Sequence, residues 1–170
     1  GACMFLRAST YFEAGGLDPD FFAHMEEIDL CWRLKRMGYK VMYTPEATVY
    51  HVGGGTLPNN TPRKIFLNYR NNLFLLFKNL PSNRFLPVIL TRLILDCISS
   101  LVYIMQLKIL FFWSVIKAHF AFYGNIRKLF IKRRKIKSLE KASKPGEIFP
   151  GAILVMFFIR RQRHFKQLKF

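Results

Sequence analysis

Hydrophobic and polar positions divide the chain into two unlike halves. Over residues 1–62 the apolar runs are short and punctuated. "GACMFLR" at 1–7 reads as a short buried strand, and Ser9 or Thr10 can cap a brief helix through Glu13 that Gly15-Gly16 stop. "LDPDFF" sets Pro19 between two acids, a turn composition. From Glu26 to Met37 the period becomes helical. Ile28, Cys31, Trp32 and Leu34 form an apolar face, Lys35 and Arg36 suit the C-terminal end of the dipole, and Gly38 terminates the helix. "YKVMYT" and "ATVYH" read as strands on either side of Pro45, the second ending at His51 before "VGGGT". This alternation predicts part of a layered α/β domain.

Beyond Pro62 the apolar runs lengthen. "RKIFLNYRNNLFLLFKNLP" predicts one amphipathic helix ended by Asn and Pro. Residues 85–107 are apolar over enough length to cross a bilayer core of about 30 Å, with Arg92 and Asp96 one helical turn apart. A paired Arg and Asp costs less in lipid than either ion alone. A second apolar stretch at 109–124 contains Lys117 and His119; "IRKLFIKRRKIK" and the final "FPGAILVMFFIRRQRHFKQLKF" then interleave cations with apolar residues. The expected organisation is residues 1–80 as one domain, 81–124 as hydrophobic membrane-associated helices and 125–170 as a basic amphipathic tail.

Charge sharpens the division. The 170-residue chain has a formal net charge of +17, yet residues 1–62 hold five basic against seven acidic residues. The remaining 22 basic residues face only Asp96, Glu140 and Glu147. Surfaces that bind phosphate backbones usually place polar side chains between their cations. Here Phe, Ile, Leu, Val and Trp intervene, which favours anionic membrane lipid as the partner and not nucleic acid. Positive flanks place those ends on the cytoplasmic side. Whether 85–124 is a spanning hairpin or a pair of interfacial helices stays open. Cys3, Cys31 and Cys97 form no ligand pair or disulfide framework and read as buried small apolar residues in a reducing compartment. The chain opens without Met, as a fragment or processed product would.

Glu26, Glu27 and Asp29 crowd into four positions of a chain poor in acid. Acids at a helix start meet unpaired N–H groups and the positive end of the dipole, and Asp29 can also pair with Arg33 one turn on. That placement leaves Glu27 without a structural need. A carboxylate bordered by Phe21, Phe22 and Trp32 can instead take a proton from a sugar hydroxyl while a ring stacks on the sugar. The residues alone leave both readings open.

"GACMFLR…FEAGGLDPDFFAHMEEIDLCWRLKRMGYKVMYTPEATVYHVGGGT", continued by "NYRNNLFLLFKN", resembles the C-terminal half of the catalytic domain of family 2 glycosyltransferases, and within them the bacterial rhamnosyltransferase-like branch. The resemblance covers about residues 1–80 and implies an α/β fold, the C-terminal part of a GT-A nucleotide-diphospho-sugar transferase domain. It implies Glu27 as general base, at a position where the family usually has Asp, with Glu26 and Asp29 beside it. It further implies Gly1, Ala2, Trp32 and Arg70 on the substrate side, and His51 as a ligand of a metal or of the donor diphosphate.

The implied reaction is inverting transfer of a hexosyl or deoxyhexosyl group from a nucleotide-diphospho-sugar to a hydroxyl of a lipid-linked or cell-surface glycan, assisted by Mg²⁺ or Mn²⁺. The expected location is the cytoplasmic face of the inner membrane. Asp18-Pro19-Asp20 has the letters of the family's metal motif but lies in the turn before the base helix, so the true motif is expected upstream. The competing expectation is a non-catalytic membrane anchor or scaffold retaining a degenerate transferase half.

Overall fold

The computed structural model of the protein describes residues 3–51, 58, 60–139, 153 and 155–167. Its elements are α1 (Ala8–Glu13), α2 (Glu26–Arg36), α3 (Pro62–Asn79), α4 (Ser82–Met105), α5 (Ile109–Gly124) and α6 (Ile126–Ser138). Short 3₁₀ turns lie at Pro19–Phe21 and Phe165–Gln167, and a π turn at Val155–Ile159.

The expected α/β architecture, the C-terminal part of a GT-A domain, is corrected: the fold is helical, with no strand among the described residues. Residues 3–7, 39–44 and 47–51 carry the strand-like alternation, yet no ladder forms from them. A strand is stable only when a neighbour takes up its N–H and C=O groups and one face is covered. Neither condition holds here, for Phe5 is 93% exposed and Tyr50 95% exposed. The cysteine expectation changes too, since Cys3 and Cys97 are exposed and Cys31 is partly so.

Helix positions follow the periodicity closely. Gly38 ends α2 at φ +89°, where Tyr39 N–H reaches back to Leu34 O at 3.0 Å. Thr61 caps α3 by accepting from Lys64 N–H at 3.3 Å, and Pro62 stands at its first position. α1 starts instead after Arg7, which provides no side-chain cap, so Ser9 and Thr10 lie inside it.

α3 is the central element and packs on α2, α4, α5 and α6. Its apolar face supplies Leu73, Phe74, Leu75 and Phe77 to a core shared with Phe21, Phe122 and Leu129. A second core joins Ala14, Leu30, Leu34 and Met37, with Leu6, Tyr11 and Leu139 against it. Because Leu139 follows α6, the basic segment is folded back onto α2. Arg133 fixes that return, donating to Phe77 O at 2.5 Å and Leu80 O at 2.6 Å, two acceptors at the C-terminal end of α3. α4 is long and apolar enough to cross a membrane, and α5 with α6 would match it only as one span bent by 64°.

Candidate functional site

The acidic cluster sits at the end of a strained loop. Asp18 starts the turn by accepting from Asp20 N–H at 3.1 Å, and Phe21, fully buried, anchors it in the core. Phe22, His24 and Met25 then take φ of +64°, +70° and +74°. Left-handed backbone costs a non-glycine residue about 1 kcal/mol or more, so the loop needs outside support. α3 supplies it. The Asn71 amide, wholly buried, donates to Phe21 O at 2.9 Å, Ala23 O at 2.7 Å and His24 O at 2.8 Å. Arg70 donates to Asp20 O at 2.9 Å and Phe21 O at 3.0 Å, with its guanidinium about 5 Å from the Phe66 and Phe74 rings.

Met25 caps α2, its carbonyl accepting from Asp29 N–H at 2.9 Å, and Glu26 and Glu27 open the first turn. Both are partly exposed, whereas Asp29 is wholly buried. Asp29 accepts from Arg33 Nε at 3.0 Å, Lys78 Nζ at 2.9 Å and Asn79 Nδ2 at 2.7 Å. The expected Asp29–Arg33 pair is therefore present, inside a larger network. Arg33 also donates to Ala14 O and to Gly16 O, tying the α1–loop corner to α2. Asp29 is a strut beneath the site, while Glu26 and Glu27 remain partly exposed, each with its Oε2 buried.

Burial pushes the Glu27 carboxyl up, and hydrogen bonding to its own backbone N–H pulls it back down. It is ionised at neutral pH. His24 Nε2, Glu26 Oε2 and Trp32 Nε1 are buried atoms without a hydrogen-bond partner among the described residues. Buried polar atoms in folded proteins are nearly always satisfied, so this concentration around the start of α2 is unusual. Phe22, 62% exposed, presents a ring beside it, with the Arg63 guanidinium 4.9 Å from the ring centroid.

Asp18 and Asp20 are fully engaged by lysines. Lys78 lies 2.6 Å and Lys132 2.5 Å from Asp18, and Lys128 and Lys132 lie 2.6 and 2.5 Å from Asp20. The Asp-Pro-Asp stretch is thus a latch that holds α6. A cavity of about 210 Å³ beside it is lined by Ala14, Asp18, Arg33, Lys78, Lys132 and Ile136 among others, but by neither Glu26 nor Glu27.

The latch has a pH signature. Burial pushes Asp18 up, but the ammonium groups of Lys132 and Lys78 outweigh this and hold it at about 2, and Asp20 is lowered in the same way. A carboxylate with a depressed folded pKa stabilises the fold above its unfolded value and loses that contribution as pH falls through the folded one. Stability should therefore drop between about pH 4 and pH 2. Denaturant titration in mild detergent at pH 5 and pH 2.5 checks this. Lys132→Met should flatten the difference, and an unchanged difference would remove the latch as its cause.

The sequence-predicted residues are only partly brought together. Glu26, Glu27 and Trp32 share α2, and Trp32 packs against the core that contains Phe21. Arg70 reaches the loop before them, but its donors hold the loop carbonyls and Asn71 Oδ1. His51 is exposed. Gly1, Ala2 and the glycines at 53–55 lie outside the described residues. Asn71, Lys78, Asn79 and Lys132 were not anticipated. The signal was there for the asparagines: Asn is a poor helix interior residue, and α3 carries Asn68, Asn71, Asn72 and Asn79.

No family profile matches the chain, and no solved structure matches it. Three curated proteins do, each over 51 residues, 30% of this chain. Those of two Mycobacterium tuberculosis strains, named N-acetylglucosaminyl-diphospho-decaprenol L-rhamnosyltransferase, are 39% identical over 17% of their own length. Rhamnosyltransferase WbbL of Escherichia coli K12 is 35% identical over 19% of its length. The chain therefore spans under a fifth of the curated relatives it matches. Within that stretch it is consistent with a glycosyltransferase.

Proposed function

We propose that the protein transfers a sugar from a nucleotide-diphospho-sugar to a hydroxyl of a lipid-linked or cell-surface glycan, with inversion. The observation that carries this reading is the partly exposed pair Glu26 and Glu27 in the first turn of α2, directly after a braced, strained loop and among buried polar atoms that include His24 Nε2 and Trp32 Nε1. The matched stretches of proteins named as rhamnosyltransferases support it. In the proposed step Glu27 takes the acceptor hydroxyl proton, the oxygen bonds to the anomeric carbon from the opposite face, and the bond to the diphosphate breaks. Trp32 and the exposed Phe22 ring offer apolar contact to the sugars. Binding at the cytoplasmic face of the inner membrane would bring the site to a lipid-linked acceptor, and the apolar α4 supports membrane association.

The described residues do not fit the divalent cation that the resemblance implies. No group of three or more His, Cys, Asp or Glu side chains gathers among them, and the acids of the Asp-Pro-Asp turn are neutralised by lysine.

The test is direct. Membranes containing the full protein are given a panel of labelled nucleotide-diphospho-sugars, and label is followed into the lipid extract. Incorporation from one donor that depends on the protein supports the reading. No incorporation from any donor, with the protein folded and membrane-bound, overturns it.

A further inference from the structure

The outward face of α4 is apolar along its whole length. Leu86, Leu90, Ile94, Ile98, Leu101 and Met105 recur at steps of three or four and are all exposed, Met105 by 83%. The two charges in the middle of this helix turn inward, leaving only Arg84 in its first turn: Arg92 lies 2.8 Å from Asp96, and Asp96, 1% exposed, also meets His119 Nε2 of α5 at 3.1 Å. Hydroxyls are likewise satisfied locally. Thr91 donates to Pro87 O, Ser100 to Cys97 O and Ser114 to Leu110 O, at 2.7–2.8 Å. Helices whose charges pair internally and whose hydroxyls return to their own backbone are adapted to hydrocarbon, where no water can serve them.

We infer that α4 lies flat in a single leaflet and does not cross the bilayer. Crossing is excluded by what travels with it. At about 36 Å the helix could span, and its midpoint would then sit at the bilayer centre, between Arg92 and Asp96. At that level the Arg92 guanidinium lies 5.3 Å from the Tyr69 ring of α3. The next residues, Arg70 and Asn71, hold the backbone of the strained loop, whose acids carry Lys78, Lys128 and Lys132. A spanning α4 would draw this ionic assembly toward the midplane, where even one charge costs a few kcal/mol. A helix in the plane of the membrane, sunk by about 5–10 Å, buries the same apolar face and leaves the assembly in water. Arg84 and Lys108 flank the face and suit anionic headgroups. The inference does not depend on the transferase reading.

Nitroxide labels at positions 86, 90, 94, 98, 101 and 105, one at a time in the full chain, measure depth in vesicles of phosphatidylethanolamine and phosphatidylglycerol. A shallow, even depth at all six is expected. A profile that descends through the midplane and emerges would overturn the inference in favour of a span. Ile94→Glu with Ile98→Glu should weaken vesicle binding about tenfold or more while helical circular dichroism is retained. Unchanged vesicle binding, or a detergent-free dimer that shields these positions, would overturn it by giving the face another occupant or none.

Discussion

Replacing Glu27 with Gln in the full protein should lower sugar transfer by about 10²- to 10⁴-fold, the range expected when a positioned base is removed. Gln matches the shape of Glu and cannot accept the proton. Glu27 is partly exposed and lies above the buried Asp29 network, so the fold should not register the change. Donor affinity should remain near wild type, which separates loss of chemistry from loss of binding. Glu26→Gln is the companion measurement. A near-normal turnover in Glu27→Gln with a collapse in Glu26→Gln would move the base by one residue.

Helix periodicity was legible because it is local. α2, α3 and α5 begin and end where apolar spacing, Pro62, Gly38 and Asn79 indicate. The strands were misread for the opposite reason. "YKVMYT" and "ATVYH" have the alternation of a half-buried strand, but alternation records only what one segment could do if a neighbour paired with it. No described segment pairs with them. The same limit governed the site. The acids were visible as a cluster, but a string of letters could not say which one is wholly buried and which stay partly exposed. Tertiary contacts decided that, burying Asp29 against Arg33, Lys78 and Asn79 and turning Asp18 and Asp20 to α6. Arg92 and Asp96 could be paired from sequence because they lie one helical turn apart, whereas the third partner, His119, is 23 residues further on.

Asp29→Ala should be the most destabilising single change in the chain. The carboxylate is wholly buried and accepts from two cations and one amide at 2.7–3.0 Å. Its removal leaves the buried Arg33 charge without its carboxylate and Lys78 with Asp18 alone, and breaking a buried pair in this way costs about 3–5 kcal/mol. Typical domains are stable by only about 5–15 kcal/mol, so the variant should be largely unfolded on warming. The damage should also spread along the network, because Lys78 holds Asp18 and Arg33 holds the carbonyls of Ala14 and Gly16. Asp29→Asn keeps the volume but loses the charge, and its amide group would add a donor where donors already converge, so it should rescue little. Thermal unfolding in detergent, followed by circular dichroism, reads both variants. If Asp29→Ala melts within a few degrees of wild type while transfer is abolished, Asp29 belongs to the chemistry and not to the strut beneath it.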